Sequence, residues 1–180
     1  MHRRLATWIS TALIAVLTAQ GSSIASAQGV DHSRVNGGPN CLVLGDSIAV
    51  GTAQQANCAV AALSGISTKR WVQQFSASVE SVAYAFEVVL ISLGTNDGKF
   101  PDPSAYEYLR RARKSVVHAK RVVWLAPGPQ FPARSQVQAV AMMYGDVVYE
   151  RPVEQLHSDN IHFSKAGYQR IASVVYQNTK

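Results

Sequence analysis

The sequence predicts an α/β domain built on a parallel sheet. Two observations carry this. Short, almost wholly apolar runs alternate with stretches of helical periodicity, five times over. The apolar runs show no polar alternation, as strands covered on both faces require. A third observation concerns function: the runs end in glycine-rich or polar turns, and in parallel sheets the sites gather at the C-terminal ends of strands.

Taken in order, Cys41-Leu42-Val43-Leu44 is a buried strand ending at Gly45, and residues 47–57 form an Ala- and Gln-rich helix. A second strand spans residues 58–63 and ends at Ser64-Gly65. Residues 68–84 are helical. Glu-Val-Val-Leu-Ile-Ser-Leu (87–93) is the clearest strand and ends at Gly94. Asp102 is a good helix cap with Pro103 at the first helical position. That helix runs to about His118, with Ala105, Leu109, Ala112 and Val116 on one side. Residues 121–126 form a fourth strand, stopped by Pro127-Gly128-Pro129. Residues 134–144 are a helix and 146–149 a short fifth strand. Ser164 caps a last helix whose apolar face carries Tyr168, Ile171, Val174 and Val175.

The N-terminal segment stands apart from this pattern. His2-Arg3-Arg4 is basic, Leu5 to Ala19 is mostly apolar, and Ala25-Ser26-Ala27 is a small-residue cleavage site. These are the three regions of a secretory signal peptide over residues 1–27. The alternative, an uncleaved anchor, needs about 20 apolar residues, more than this run supplies. No later segment is long and apolar enough to span a bilayer, so the expected location is periplasmic or extracellular. Residues 28–40 are polar and glycine-rich and read as a flexible mature N-terminus. One domain, residues 41–180, remains.

With 47% hydrophobic and 16% charged residues, the 180-residue chain is ordinary for a globular protein and unlike a disordered one. Cleavage would remove two arginines and no acids, lowering the net charge from +6 to +4. That is weak support for nucleic-acid binding, and no nucleic-acid partner is expected. The densest basic patch, Arg110, Arg111, Arg113 and Lys114, falls on a helix and reads as a solvated face.

The two cysteines, Cys41 and Cys58, open the first and second strands. If those strands are parallel neighbours, about 4.8 Å apart, both cysteines lie at one end, within disulfide reach and opposite the loops that would carry a site. An exported protein favours the bond, and two buried free thiols are the alternative.

Several residues invite a chemical reading. Ser47 follows a strand and a Gly-Asp turn, at a helix N-terminus where free N–H groups favour negative charge. It can be a nucleophile or simply a helix cap. Asp159 stands three residues before His162, close enough for its carboxylate to fix the imidazole tautomer and leave Nε2 as a base. Glu154 stands at the same spacing before His157, so spacing leaves both histidines open. Asn96, after the third strand, can donate an amide to an oxyanion or serve as a turn residue. Gly65 can offer a backbone N–H or be only a turn glycine.

In combination and in this order, the residues resemble the SGNH hydrolases, also called GDSL esterases and lipases. Leu-Gly-Asp-Ser-Ile-Ala (44–49) is similar to the first block of that family, Gly65 to the second-block glycine, Gly94-Thr95-Asn96-Asp97 to the third block, and Asp159-x-x-His162 to the last. The resemblance covers Cys41 to the C-terminus. It implies a three-layer, flavodoxin-like domain with a five-stranded parallel sheet. It implies a Ser47–His162–Asp159 triad, which selects His162 over His157, and an oxyanion hole from the Ser47 N–H, the Gly65 N–H and Asn96. Ala49 replaces the second glycine of the Gly-x-Ser-x-Gly elbow of α/β-hydrolases.

The expected activity is ester hydrolysis through a covalent acyl-enzyme, with no metal or organic cofactor implied. Substrates would be small acyl or acetyl esters of glycans, or lipid or thioester acyl groups. An acyltransferase with the same triad and a non-catalytic envelope glycan-binding protein are the alternatives. Trp71, Phe75, Phe100, Pro101 and Phe131 lie on segments that border the expected site and are candidates to receive an acyl chain or stack on a sugar. Oligomeric state is not legible.

Overall fold

A computed structural model describes residues 29–31, 40–99 and 102–177. The expected signal peptide, most of the segment 28–40, and Phe100 and Pro101 lie outside these residues.

Five strands, β1 (Cys41–Gly45), β2 (Ala59–Ala62), β3 (Val88–Ser92), β4 (Arg121–Leu125) and β5 (Val147–Tyr149), form one sheet in the order β2-β1-β3-β4-β5. Every neighbouring pair is parallel. Five α-helices connect and cover them: α1 (Ser47–Ala53), α2 (Thr68–Val82), α3 (Pro103–Lys114), α4 (Ala133–Tyr144) and α5 (Lys165–Gln177). None of the described helices is long and apolar enough to cross a membrane.

The apolar runs are continuous because each strand feeds two cores. On one face Leu42 and Leu44 of β1 pack with Val89 and Ile91 of β3 and with Trp71, Leu109 and Val137 from α2, α3 and α4. On the other, Cys41 and Val43 pack with Leu90, with Ile48 of α1 and with Ile171 and Val175 of α5. Successive side chains of a strand point to opposite faces, so a sheet sandwiched by helices needs apolar residues at every position. The three layers and the parallel sheet are as the sequence predicts. The face Ala105, Leu109, Ala112 and Val116 is buried throughout.

Cys41 and Cys58 are bonded, with their Cα atoms 4.9 Å apart. Free thiols are thereby excluded for the pair. The bond joins the starts of β1 and β2, at the edge of the sheet away from Ser47. Within the segment 28–40, Asp31 makes an antiparallel bridge to Val60, with backbone hydrogen bonds of 2.8 and 2.9 Å on the outer edge of β2. This stretch of the expected flexible N-terminus is therefore anchored.

Three expectations need correction. The first helix ends at Ala53 rather than at residue 57. The chain must turn early to reach Cys58, and the Asn57 N–H is taken by the Tyr176 hydroxyl at 2.6 Å. Helix α3 ends at Lys114 rather than near His118. There the Val116 and Val117 amides bond three residues back, and the Ser115 hydroxyl donates to the Ala112 carbonyl, so the helix gives way to tighter turns. Arg113 does not share the solvated face of its neighbours. It is 8% exposed and makes two hydrogen bonds, 2.6 and 2.8 Å, to Asp146, which also accepts from the Trp124 indole at 2.9 Å.

Sheet order reverses direction between β1 and β3, since β2 is laid to one side of β1 and β3 to the other. A crevice opens at such a switch point, outside the C-terminal ends of the strands. The loops that leave β1 and β3 flank it.

Candidate active site

Gly45 explains the form of the turn after β1. It has φ +137°, and a Cβ there would stand 1.8 Å from the Ser92 carbonyl oxygen of β3. Only glycine allows the two strands to stay paired to their ends, where the Asp46 N–H bonds the Ser92 carbonyl at 3.0 Å. Asp46 then caps α1, its Oδ1 accepting from the Ile48 N–H at 3.0 Å and from the Ser92 hydroxyl at 3.2 Å. The alternative of Ser47 as the cap is corrected: Asp46 holds that position, and Ser47 is the first helical residue. Asp46 is completely buried, and burial pushes its carboxyl up to about 6 against the lowering effect of its hydrogen bonds.

Ser47, freed from capping, meets the last loop. Its Oγ lies 3.0 Å from His162 Nε2, and His162 Nδ1 lies 2.7 Å from Asp159 Oδ2. Asp159 Oδ1 accepts from the Ile161 and His162 amides, each at 2.9 Å. The hydrogen bond to His162 and these two amides hold the carboxyl well below the usual carboxylate range. An ionised Asp159 facing Nδ1 fixes the proton there and turns the Nε2 lone pair toward Ser47. The loop closes so tightly because Asn160 takes φ +57°, a conformation asparagine tolerates better than most residues. His157 is exposed and contributes its backbone N–H to the His162 carbonyl at 2.8 Å, while Glu154 pairs with Arg170.

Asn96 and Gly65 come from the loops after β3 and β2. Asn96 Nδ2 donates to the Ile66 carbonyl at 3.2 Å, which leaves its second amide hydrogen uncommitted. Gly65 has φ +74°. Both line a cleft of about 680 Å³, together with Thr95, Gly98, Lys99, Gln130 and Phe131. A second cleft of about 620 Å³ shares Gln130 and Phe131 with it and is bordered by Arg151, Asp159, Asn160 and Ile161.

Of the candidate aromatics, Phe131 borders both clefts. Trp71 and Phe75 do not belong to the site. They are buried on α2, stacked with ring centroids 5.9 Å apart, and the Trp71 indole donates to the Ala61 carbonyl at 2.8 Å. Phe100 and Pro101 lie outside the described residues. Among the described residues, no three His, Cys, Asp or Glu side chains gather as a metal site requires.

Two features were not anticipated from sequence. The Asp97 carboxylate accepts from both the N–H and the hydroxyl of Thr68, which ties the β3 loop to the β2 loop. Arg151 is buried directly behind the His162 loop. Asp97 stands in the third block, but nothing local names Thr68 as its partner, and a lone Arg after a strand carries no periodicity or spacing that would have singled it out.

The fold is that of the GDSL-type esterases and lipases. The structure is similar to an α/β hydrolase enzyme from the metagenome of Lake Arreo, with a TM-score of 0.56 and 16% identity over 81% of this chain and 96% of that one. It is similar to a GDSL-like lipase from Bacteroides thetaiotaomicron, with a TM-score of 0.60 and 17% identity over 76% of this chain and 85% of the other. It is also similar to the psychrotrophic esterase EstA from Pseudoalteromonas, with a TM-score of 0.53 and 17% identity over 78% and 96%. No protein-family model and no curated protein sequence matches the chain.

Proposed function

We propose that the protein is an exported serine esterase with Ser47 as nucleophile, His162 as general base and Asp159 as the group that orients it. The observation that carries this is the unbroken chain of hydrogen-bond contacts from Ser47 Oγ through both ring nitrogens of His162 to Asp159, 3.0 and 2.7 Å long. A serine hydroxyl is a weak nucleophile without such a partner.

In the reaction, Ser47 Oγ attacks the ester carbonyl and His162 Nε2 takes its proton. Negative charge on the former carbonyl oxygen is met by the Ser47 and Gly65 N–H groups and by the free amide hydrogen of Asn96. Collapse of the adduct breaks the bond to the alcohol, which leaves with the proton from His162. Water, deprotonated by His162, then attacks the acyl-enzyme and releases the acid. Asp159 stabilises the imidazolium at each stage.

The test is a series of p-nitrophenyl esters from acetyl to palmitoyl, with acetylated glycans beside them. Turnover by the wild type and its loss in Ser47→Ala are expected, and chain-length preference separates small acyl groups from lipid ones. No turnover on any member, with no labelling by a phosphonate, would contradict the proposal.

A further inference from the structure

Arg151 follows β5 and is 6% exposed. Its Nη2 donates to the carbonyl of Ile161, the residue before His162. Its guanidinium carbon sits 5.0 Å from the ring centroid of Phe163, the residue after His162. The base is thus gripped through both of its chain neighbours by one side chain. Phe163 is itself fixed, 1% exposed and edge-on to Tyr168 with centroids 5.6 Å apart. Tyr168 in turn lies against Gly51 of α1, where a Cβ would fall 2.4 Å from its ring. Arg151, Phe163, Tyr168 and α1 form one packed path from the His162 loop to the helix that begins with Ser47.

This arrangement costs stability. Arg151 Nε and Nη1 are buried with no hydrogen-bond partner among the described residues. Unpaired buried donors are unfavourable, more so on a charged group, and an apolar side chain of similar length would avoid the cost. A costly cation at a site that touches both neighbours of the base is explained by what it positions.

We propose that Arg151 is a positioning residue for catalysis, holding His162 Nε2 in line with Ser47 by clamping Ile161 and Phe163. Arg151 also borders the cleft beside Asp159, and the role assigned to it acts through the two chain neighbours of His162. The inference rests on the esterase reading of Ser47 and His162. Misplacement of a reacting group by about 1 Å can cost on the order of a hundredfold in rate.

The experiment compares wild type with Arg151→Met, Arg151→Lys and Arg151→Ala. The readouts are kcat and KM on p-nitrophenyl acetate, the thermal midpoint, and the proton resonance of His162 Nδ1–H. Arg151→Met should fold with a midpoint at or above that of wild type. Its kcat should fall roughly ten- to a hundredfold with KM within about twofold, and the His162 resonance should shift or broaden. Free guanidinium should partly restore kcat in Arg151→Ala, which leaves room for it, and not in Arg151→Met. Should Met fail to fold, Arg151→Lys serves for the same readouts, because it keeps the charge but loses the planar donor. A wild-type kcat in the folded variants, or a lowered kcat with an unchanged His162 resonance, would overturn the proposal. If the wild type neither turns over esters nor labels at Ser47, the esterase reading fails instead. The His162 resonance still reports whether Arg151 holds the loop.

Discussion

Asp97 receives two hydrogen bonds from Thr68, each 2.6 Å, one from the backbone N–H and one from the hydroxyl. Together with the Asn96 amide on the Ile66 carbonyl, this fastens the loop after β3 to the loop after β2. Those are the two loops that carry Asn96 and Gly65. On the proposed mechanism the two residues divide labour: Asn96 supplies an oxyanion donor, and Asp97 ties its loop to the one that carries Gly65.

The two substitutions should separate these roles. Asn96→Ala removes the proposed oxyanion donor and should lower kcat on the order of a hundredfold or more, with a smaller loss of stability than Asp97→Ala because only the single bond to Ile66 goes with it. Asp97→Ala leaves the Thr68 N–H without its partner and should cost about 1–3 kcal/mol in denaturant unfolding, besides lowering kcat. An Asn96→Ala enzyme with wild-type turnover contradicts the role of that amide.

Asp46 makes stability depend on pH. Its carboxyl titrates near 3.8 when free and at about 6 in the fold. Between these values the folded state binds the extra proton, so stability from this group falls as pH rises through that window and the penalty is complete above it. The penalty is about 3 kcal/mol in order of magnitude. Asn in place of Asp46 cannot ionise, yet keeps an oxygen to accept from Ile48 and Ser92. The stability of Asp46→Asn relative to wild type should therefore rise by that amount from pH 4 to pH 7, read from urea unfolding. A pH-independent difference contradicts the assignment.

The disulfide should matter for stability and not for chemistry. It closes a loop with a sequence separation of 17, for which the chain-entropy model gives about 3 kcal/mol. It sits one strand length, roughly 15 Å, from Ser47. The Cys41→Ala, Cys58→Ala variant should unfold at lower denaturant while Ser47 reacts with a phosphonate at the wild-type rate below the melting transition. A lost reaction in the folded variant would show coupling across the sheet.

The layers of the fold were legible because burial on both faces leaves an unmistakable apolar run, as in β3, and because Asp102-Pro103 marks a helix start. Ser47, Asn96, Asp159 and His162 are singled out as a set by the resemblance to one family, because spacing alone leaves His157 open beside His162. What was missed depends on contacts far apart in the chain. Arg113 leaves its basic neighbours because Asp146, just past the end of α4, accepts two hydrogen bonds from it. Trp71 turns into the core because the Ala61 carbonyl accepts its indole N–H. Beyond the end of helix α1, the Asn57 N–H is taken by the hydroxyl of Tyr176, 119 residues away. None of these partners is visible in local spacing.

The most direct measurement is the reaction of the protein with a fluorophosphonate, followed by mass analysis of the labelled peptide, in wild type and in Ser47→Ala. One adduct on Ser47, absent from Ser47→Ala and slowed in His162→Ala, is the predicted result. Failure of the folded wild type to label, or a label that persists in Ser47→Ala, would contradict an activated serine at this position.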